Sequence, residues 1–260
     1  MQLTWQLINP EGNAERILVL APSLAGHVEH QWGDVARRLD QEAYVVLVYL
    51  PGHGPVEPWG DDDATLDVVA DAMADVVAQV RAQAGDLPAY YAGLSVSGAV
   101  GLHLARDYPE VFAGIAVVAS AATVGEPAGW QERAEQVEQG GIEPLADATV
   151  QRWFTPAFAA REPAVVAQIR QDIVDTDDHS YAQLCRALAV HDVRNDLPGM
   201  GVPLLIIAGE EDASNPLEKV RLVAEKAPDA RLVVIPGVAH QVPLAAPVAV
   251  AGQLRELMTA

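Results

Sequence analysis

The stretch AYYAGLSVSGAVGLHLA, residues 89 to 105, decides how this chain is read. Its first six residues form an apolar run suited to a strand buried on both faces. From Val96 onward the apolar residues recur at three- and four-residue spacing, the period of a helix. Between the two, Gly93-Leu94-Ser95-Val96-Ser97-Gly98 leaves no room for a loop. A turn this tight lifts the Ser95 hydroxyl above the sheet, and small residues two places to either side let the helix pass close to the strand. Gly93 fills the first of those positions. Ser97 stands at the second where glycine is usual, with Gly98 beside it to relieve the added hydroxymethyl group. A lone Gly-x-Ser-x-small match arises often by chance; the strand before it and the helix after it make this one a nucleophile elbow.

Outward from the elbow the same rhythm continues. RILVLA (16 to 21), AYVVLVYL (43 to 50), FAGIAVVAS (112 to 120), PLLIIAG (203 to 209) and RLVVIPG (231 to 237) are further strand candidates. Segments of helical period near 30 to 39, 65 to 84, 97 to 107, 215 to 227 and 247 to 258 alternate with them. This pattern predicts an α/β fold, a mostly parallel sheet with helices on both faces. The alternation breaks after Ser120, where about 80 residues rich in Ala, Glu, Gln and Arg run without a strand candidate. We read residues 123 to 198 as an inserted helical cap between two parts of one core, 1 to 122 and 199 to 260. Pro and Gly in NDLPGMGVP mark the return to the sheet.

Composition narrows the function classes. At 260 residues the chain can bury one sizeable core. None of its apolar runs approaches the roughly 18 uninterrupted residues of a membrane helix. The amino terminus, MQLTWQLINPEG, lacks the basic and apolar regions of an export signal, so a cytoplasmic location is expected. A net charge of −20 repels phosphate backbones and anionic lipid, which argues against nucleic-acid and membrane partners and for a small-molecule one. Cys185 is the sole cysteine, so an internal disulfide and a multi-cysteine metal site are excluded; it is expected to be a buried structural thiol. No metal is called for.

A serine of ordinary acidity needs a base, and the base needs an orienting acid. On a sheet of this type they follow the serine in the order acid, histidine, on loops after later strands. PLLIIAGEEDASNP places Asp212 just past one strand candidate, and RLVVIPGVAHQVP places His240 just past the next, 28 residues later. Glu210 and Glu211 adjoin Asp212, but the loop needs one more residue of reach. Among other histidines, His103 reads as a packed or surface helix residue, His53 as part of a tight loop, and His179 and His191 as solvated cap residues. His27 and His30 follow a strand end and are candidates to touch substrate. Two backbone N–H groups should hold a developing oxyanion: that of Val96, after the nucleophile, and that of Leu24, in the loop after RILVLA.

These pieces together resemble the α/β-hydrolases and, within them, the 3-oxoadipate enol-lactonases. The resemblance runs through APSLAGHVEHQW (21 to 32), PGHG (51 to 54), the elbow, RWFTPAF (152 to 158), DVRNDLPGMGVPLLIIAGEEDASNP (192 to 216) and ARLVVIPGVAH (230 to 240). It implies a Ser95-His240-Asp212 triad, no cofactor, and a small cyclic enol ester of aromatic-compound breakdown as substrate. Trp153, in RWFTPAF, would hang from the cap as a flat apolar wall. A substrate carboxylate would draw on Ser23, His27 or His30, or on a cap arginine such as Arg133 or Arg152. Three departures from the family pattern bear on substrate rather than on reaction type: YLPGHGPVEP (49 to 58), Ser97, and AHQVPLAAP after the histidine. The rival readings are a carboxylesterase of neutral short-chain esters and a non-catalytic binding protein. A dehalogenase would carry aspartate at position 95.

Overall fold

The computed structural model describes residues 1–8 and 14–259; residues 9–13 of the amino-terminal segment read above lie outside the described residues. Seven strands form one sheet: β1 (Thr4–Leu7), β2 (Ile17–Ala21), β3 (Tyr44–Tyr49), β4 (Ala89–Leu94), β5 (Phe112–Val118), β6 (Leu204–Gly209) and β7 (Ala230–Ile235). Their order is β1-β3-β2-β4-β5-β6-β7, all parallel except β1, which pairs antiparallel with β3 at the edge. The expected mostly parallel sheet is what the chain forms. β1 was not foreseen: TWQL is four residues long and none of them is fully buried.

The apolar strand runs are explained by the two layers they face. Ile17 and Val19 pack into one core cluster, and Leu18 and Leu20, between them in sequence, into a second on the opposite face. A strand whose alternate side chains are all buried has no polar positions left. Three helices fall among the first five strands: α1 (Val28–Leu39), α2 (Leu66–Ala84) and α3 (Val96–Asp107). Between β5 and β6 come five helices and no strand: α4 (Pro127–Gly140), α5 (Ala146–Trp153), α6 (Pro156–Arg161), α7 (Pro163–Val174) and α8 (Asp178–Ala189). After β6 the chain adds α9 (Leu217–Lys226), α10 (Val242–Ala245) and α11 (Pro247–Thr259). α1 and α11 cover one face through Trp32, Leu39 and Leu254, while α2 and α3 cover the other through Met73, Val76 and Val100. No helix among the described residues is long and apolar enough to cross a membrane.

The strand order fixes where a site can form. From β2 the chain moves to β3 on one side, then returns to β4 on the other side of β2. Loops leaving the carboxyl ends of β2 and β4 therefore diverge, and the crevice between them is the topological switch point where ligands of open parallel sheets bind. Leu24 follows β2 and Ser95 follows β4.

Candidate active site

β4 ends at Leu94 and α3 starts at Val96, so Ser95 makes the turn alone, at φ 57° and ψ −113°. A residue with a Cβ adopts that backbone only where its surroundings impose it. Here the Ser95 N–H donates to the Val118 carbonyl at 2.8 Å, and the Ser95 carbonyl accepts from the Ala99 N–H at 3.0 Å. At Gly93 a Cβ would lie 2.1 Å from the Ser97 carbonyl oxygen, so only glycine fits beneath the helix. Ser97 fits because its buried hydroxyl has a use: it donates to the Pro22 carbonyl at 2.6 Å, in the loop after β2.

Asp212 lies at the carboxyl end of β6. Its Oδ1 accepts the N–H groups of Ser214 and Asn215 at 2.8 and 3.1 Å, which turns Oδ2 toward His240 Nδ1 at 2.8 Å. Both side chains are almost wholly buried, at 1% and 2% exposure. Glu210 and Glu211 face solvent instead. The His240 backbone N–H donates to the carbonyl of Trp153 at 3.1 Å, and the Gln241 N–H to the same oxygen at 3.3 Å. The α5 helix ends at Trp153, Phe154 is extended, and the Thr155 hydroxyl caps α6 by accepting from the Phe158 N–H at 3.2 Å, with Pro156 starting that helix. RWFTPAF is thus a helix stop and a helix start. The break between them delivers the Trp153 ring to within 5.8 Å of the His240 ring, centroid to centroid.

Ser95, His240, Leu24 and Trp153 line one cavity of about 240 Å³. No hydrogen bond joins the Ser95 hydroxyl to His240 among the described residues, a contact that in such sites commonly tightens only when substrate binds. The N–H groups of Leu24 and Val96 have no acceptor among the described residues, and of the two residues Leu24 lines the cavity. Beside Leu24, Ala25 also lines the cavity and holds φ at 58°.

The far wall comes from the helices between β5 and β6. Arg133 donates from Nε to the Tyr181 hydroxyl at 2.6 Å and from Nη2 to Thr149 Oγ1 at 3.1 Å, and its guanidinium stands 6.0 Å from the Trp130 ring centre. Arg152 lines the same cavity, and its pKa is lowered by burial and by the neighbouring Arg133 charge. Neither arginine pairs with a carboxylate among the described residues. In a chain with 36 acidic residues against 16 basic ones, two unpaired arginines on one cavity wall mark an anion-favouring surface. Trp130, Tyr181 and Asn215, whose amide donates to the Ala119 carbonyl at 2.8 Å, also belong to the site and were missed in the sequence. The two aromatics sit on amphipathic helices whose apolar positions read as ordinary core.

Several expectations need correction. Ser23 does not meet the cavity: it is fully buried and its hydroxyl accepts from Gln31 Nε2 at 2.6 Å. His27 and His30 line a different cavity, of about 350 Å³, where His30 Nδ1 sits 2.9 Å from both carboxylate oxygens of Asp172 on α7. His191 is buried rather than solvated, because the segment after α8 packs on α3 and its ring contacts His103. Cys185 is buried as expected, and burial pushes its thiol up to about 12.

The family profile described as serine aminopeptidase, S33, matches residues 12–244. The 3-oxoadipate enol-lactonase 2 of Acinetobacter baylyi is 31% identical over 205 residues, 77% of this chain and 73% of that protein. The pimeloyl-[acyl-carrier protein] methyl ester esterase of Nitrosomonas europaea is 29% identical over 222 residues, 80% of this chain and 82% of that protein. The solved enol-lactonase of Burkholderia xenovorans LB400 aligns with 99% of this chain and 96% of its own, at a TM-score of 0.88 and 29% identity. By profile, sequence and fold together, this chain belongs to the α/β-hydrolases, in the family of serine aminopeptidase S33, and is a relative of the 3-oxoadipate enol-lactonases.

Proposed function

We propose that this hydrolase cleaves a small carboxylic ester or lactone through an acyl-enzyme on Ser95, as a 3-oxoadipate enol-lactonase-like enzyme of aromatic-compound breakdown. The observation that carries the reading is the disposition of His240: Nδ1 is committed to a buried carboxylate while the ring lines the cavity that Ser95 also lines. In this reading residues 123–198 act as the cap, and no cofactor takes part.

As Ser95 Oγ attacks the carbonyl carbon, His240 Nε2 takes the hydroxyl proton, and Asp212 stabilises the resulting imidazolium and keeps Nδ1 as a donor. The carbonyl oxygen becomes an oxyanion held by the Leu24 and Val96 N–H groups. Collapse breaks the ester C–O bond, and His240 returns its proton to the leaving oxygen. An enol leaving group relaxes to the ketone, which makes ring opening effectively irreversible. Water, deprotonated by the same histidine, then releases the acid from Ser95.

The small cavity limits the substrate to a single ring or a short chain, and Arg133 with Arg152 favours one that carries a carboxylate. The test compares a carboxylate-bearing enol-lactone with its methyl ester, and wild type with Arg133→Met. The expected result is a higher kcat/KM for the anion and a KM increase for the anion alone in the variant. Efficient cleavage of neutral esters with undetectable lactone turnover would replace the lactonase reading with the carboxylesterase one.

A further inference from the structure

We propose that the Gln31 side chain is a positioning residue that holds the oxyanion loop against the histidine loop. Gln31 lies in α1, where its neighbours Val28, Trp32 and Val35 are core residues, and it is itself 1% exposed. Every hydrogen-bonding atom of its amide is used. Oε1 accepts the Ser23 N–H at 2.9 Å, while Nε2 donates to Ser23 Oγ at 2.6 Å and to Gln241 Oε1 at 3.1 Å. The loop is shaped around this amide: a Cβ on Gly26 would lie 2.3 Å from Gln31 Oε1.

Ser23 is flanked by Pro22, whose carbonyl accepts the Ser97 hydroxyl of the elbow, and by Leu24, which lines the cavity. The loop is therefore fixed from two sides, by the nucleophile's helix through Ser97 and by α1 through Gln31. Gln241 extends the connection: it is the residue after His240, and its own N–H is held by the Trp153 carbonyl. One amide thus bridges the loop that binds the oxyanion and the loop that carries the base, across 210 residues of sequence. A displacement of about 1 Å in such a donor can cost on the order of 10²-fold in rate. Ground-state binding does not use the oxyanion donors in the same measure, so the loss should fall on kcat rather than KM.

The inference rests on the reading of Ser95 and Leu24 given above, and the experiment separates the two. The full-length protein is labelled with a fluorophosphonate, and its kcat and KM for p-nitrophenyl acetate are measured, with the inhibition constant of an alkyl trifluoromethyl ketone whose hemiketal presents an oxyanion. Failure of the wild type to label at Ser95 would remove the proposed function itself. Given labelling, Gln31→Met is expected to lower kcat about 10- to 100-fold with KM within about twofold, and to weaken the ketone by a similar factor. Wild-type kcat and ketone affinity in a folded Gln31→Met protein would overturn the inference, however far its melting temperature falls. Should Gln31→Met fail to fold, Gln241→Met reads the same bridge from its other end. A fall of about threefold or more in kcat at unchanged KM supports the inference, and an unchanged kcat overturns it.

Discussion

Two histidine–aspartate pairs in this molecule share a separation of 2.8 Å, His240 with Asp212 and His103 with Asp67, and their surroundings differ. Asp212 is 1% exposed and has one aromatic partner, whereas Asp67 is 51% exposed and is shared between His103 and Arg106. The second ring nitrogen makes the larger difference. His103 Nε2 is 3.0 Å from His191 Nδ1, and His191 Nε2 is 3.0 Å from the Ala121 carbonyl, so that row of rings is closed at both ends. His240 has no such partner on its second nitrogen among the described residues, and its ring lines the cavity with Ser95. A carboxylate on Nδ1 sets the tautomer of an imidazole; what stands at Nε2 decides whether the ring is a base or a pin between helices.

The sharpest way to break that contrast is to remove each member in turn. Ser95→Ala and His240→Ala should each lower ester turnover at least about 10³-fold in a folded protein, because covalent catalysis goes while the oxyanion donors stay. His103→Asn should instead leave turnover within about twofold and lower the melting temperature, since its loss leaves His191 buried without a ring partner. Equal activity losses at 103 and 240 would erase the distinction. Among the acids, Asp212→Asn should cost on the order of 10³- to 10⁴-fold, while Asp67→Asn and Glu211→Gln stay near wild type. A comparable loss in Glu211→Gln would mean that the wrong carboxylate has been assigned.

Trp153 touches only the first of the two pairs. Trp153→Phe should raise KM for a ring substrate several-fold, about 1 kcal/mol of lost apolar contact, with kcat kept because the backbone carbonyl that holds the His240 N–H remains. A collapse of kcat with unchanged KM would show the ring to be a support for His240 rather than a wall for substrate.

Buried histidines away from the cavity make a different prediction, on stability. Burial lowers His53 and His191 to about 4, against 6.5 for a free histidine. Between pH 4 and 6.5 the unfolded chain therefore binds more protons than the folded one, so stability falls as pH drops through that window and is flat above it. From pH 7.5 to pH 5 each group should remove about 2 kcal/mol, read from urea midpoints. His53→Gln should shrink the drop by one such share. The smallest effect concerns salt. With a net charge of −20, kcat/KM for an anionic substrate should rise by about twofold between low and moderate ionic strength, while a neutral ester stays flat.

The sheet and the Ser95 elbow were legible in the sequence for a physical reason. A strand buried on both faces must be apolar throughout, as in ILVLA of β2, and the loops after such strands are where Asp212 and His240 had to be sought. Leu24 could be singled out from the sequence because a backbone donor needs no particular side chain, and it lines the cavity. Tertiary burial of polar groups was not readable. Ser23 looked like an available loop hydroxyl, and His191 like a surface residue, because nothing local announces the partner that encloses each. Gln31 and Gln241 are the extreme case: a glutamine between apolar helix positions reads as solvent-facing until a residue 210 places away accepts its proton.

The Trp153 carbonyl, which receives the N–H groups of both His240 and Gln241, doubles as a clock. Those two amides can trade hydrogen for deuterium only when the end of α5 parts from the loop that carries His240. Their exchange rate therefore counts how often α5 lifts at this point. An α5 that parted freely would leave them as quick as an exposed turn; an α5 that departs only with wider unfolding would make them as slow as the central strands. Because the same oxygen receives the His240 N–H, every opening event at the end of α5 also releases the backbone from which the His240 ring reaches the cavity.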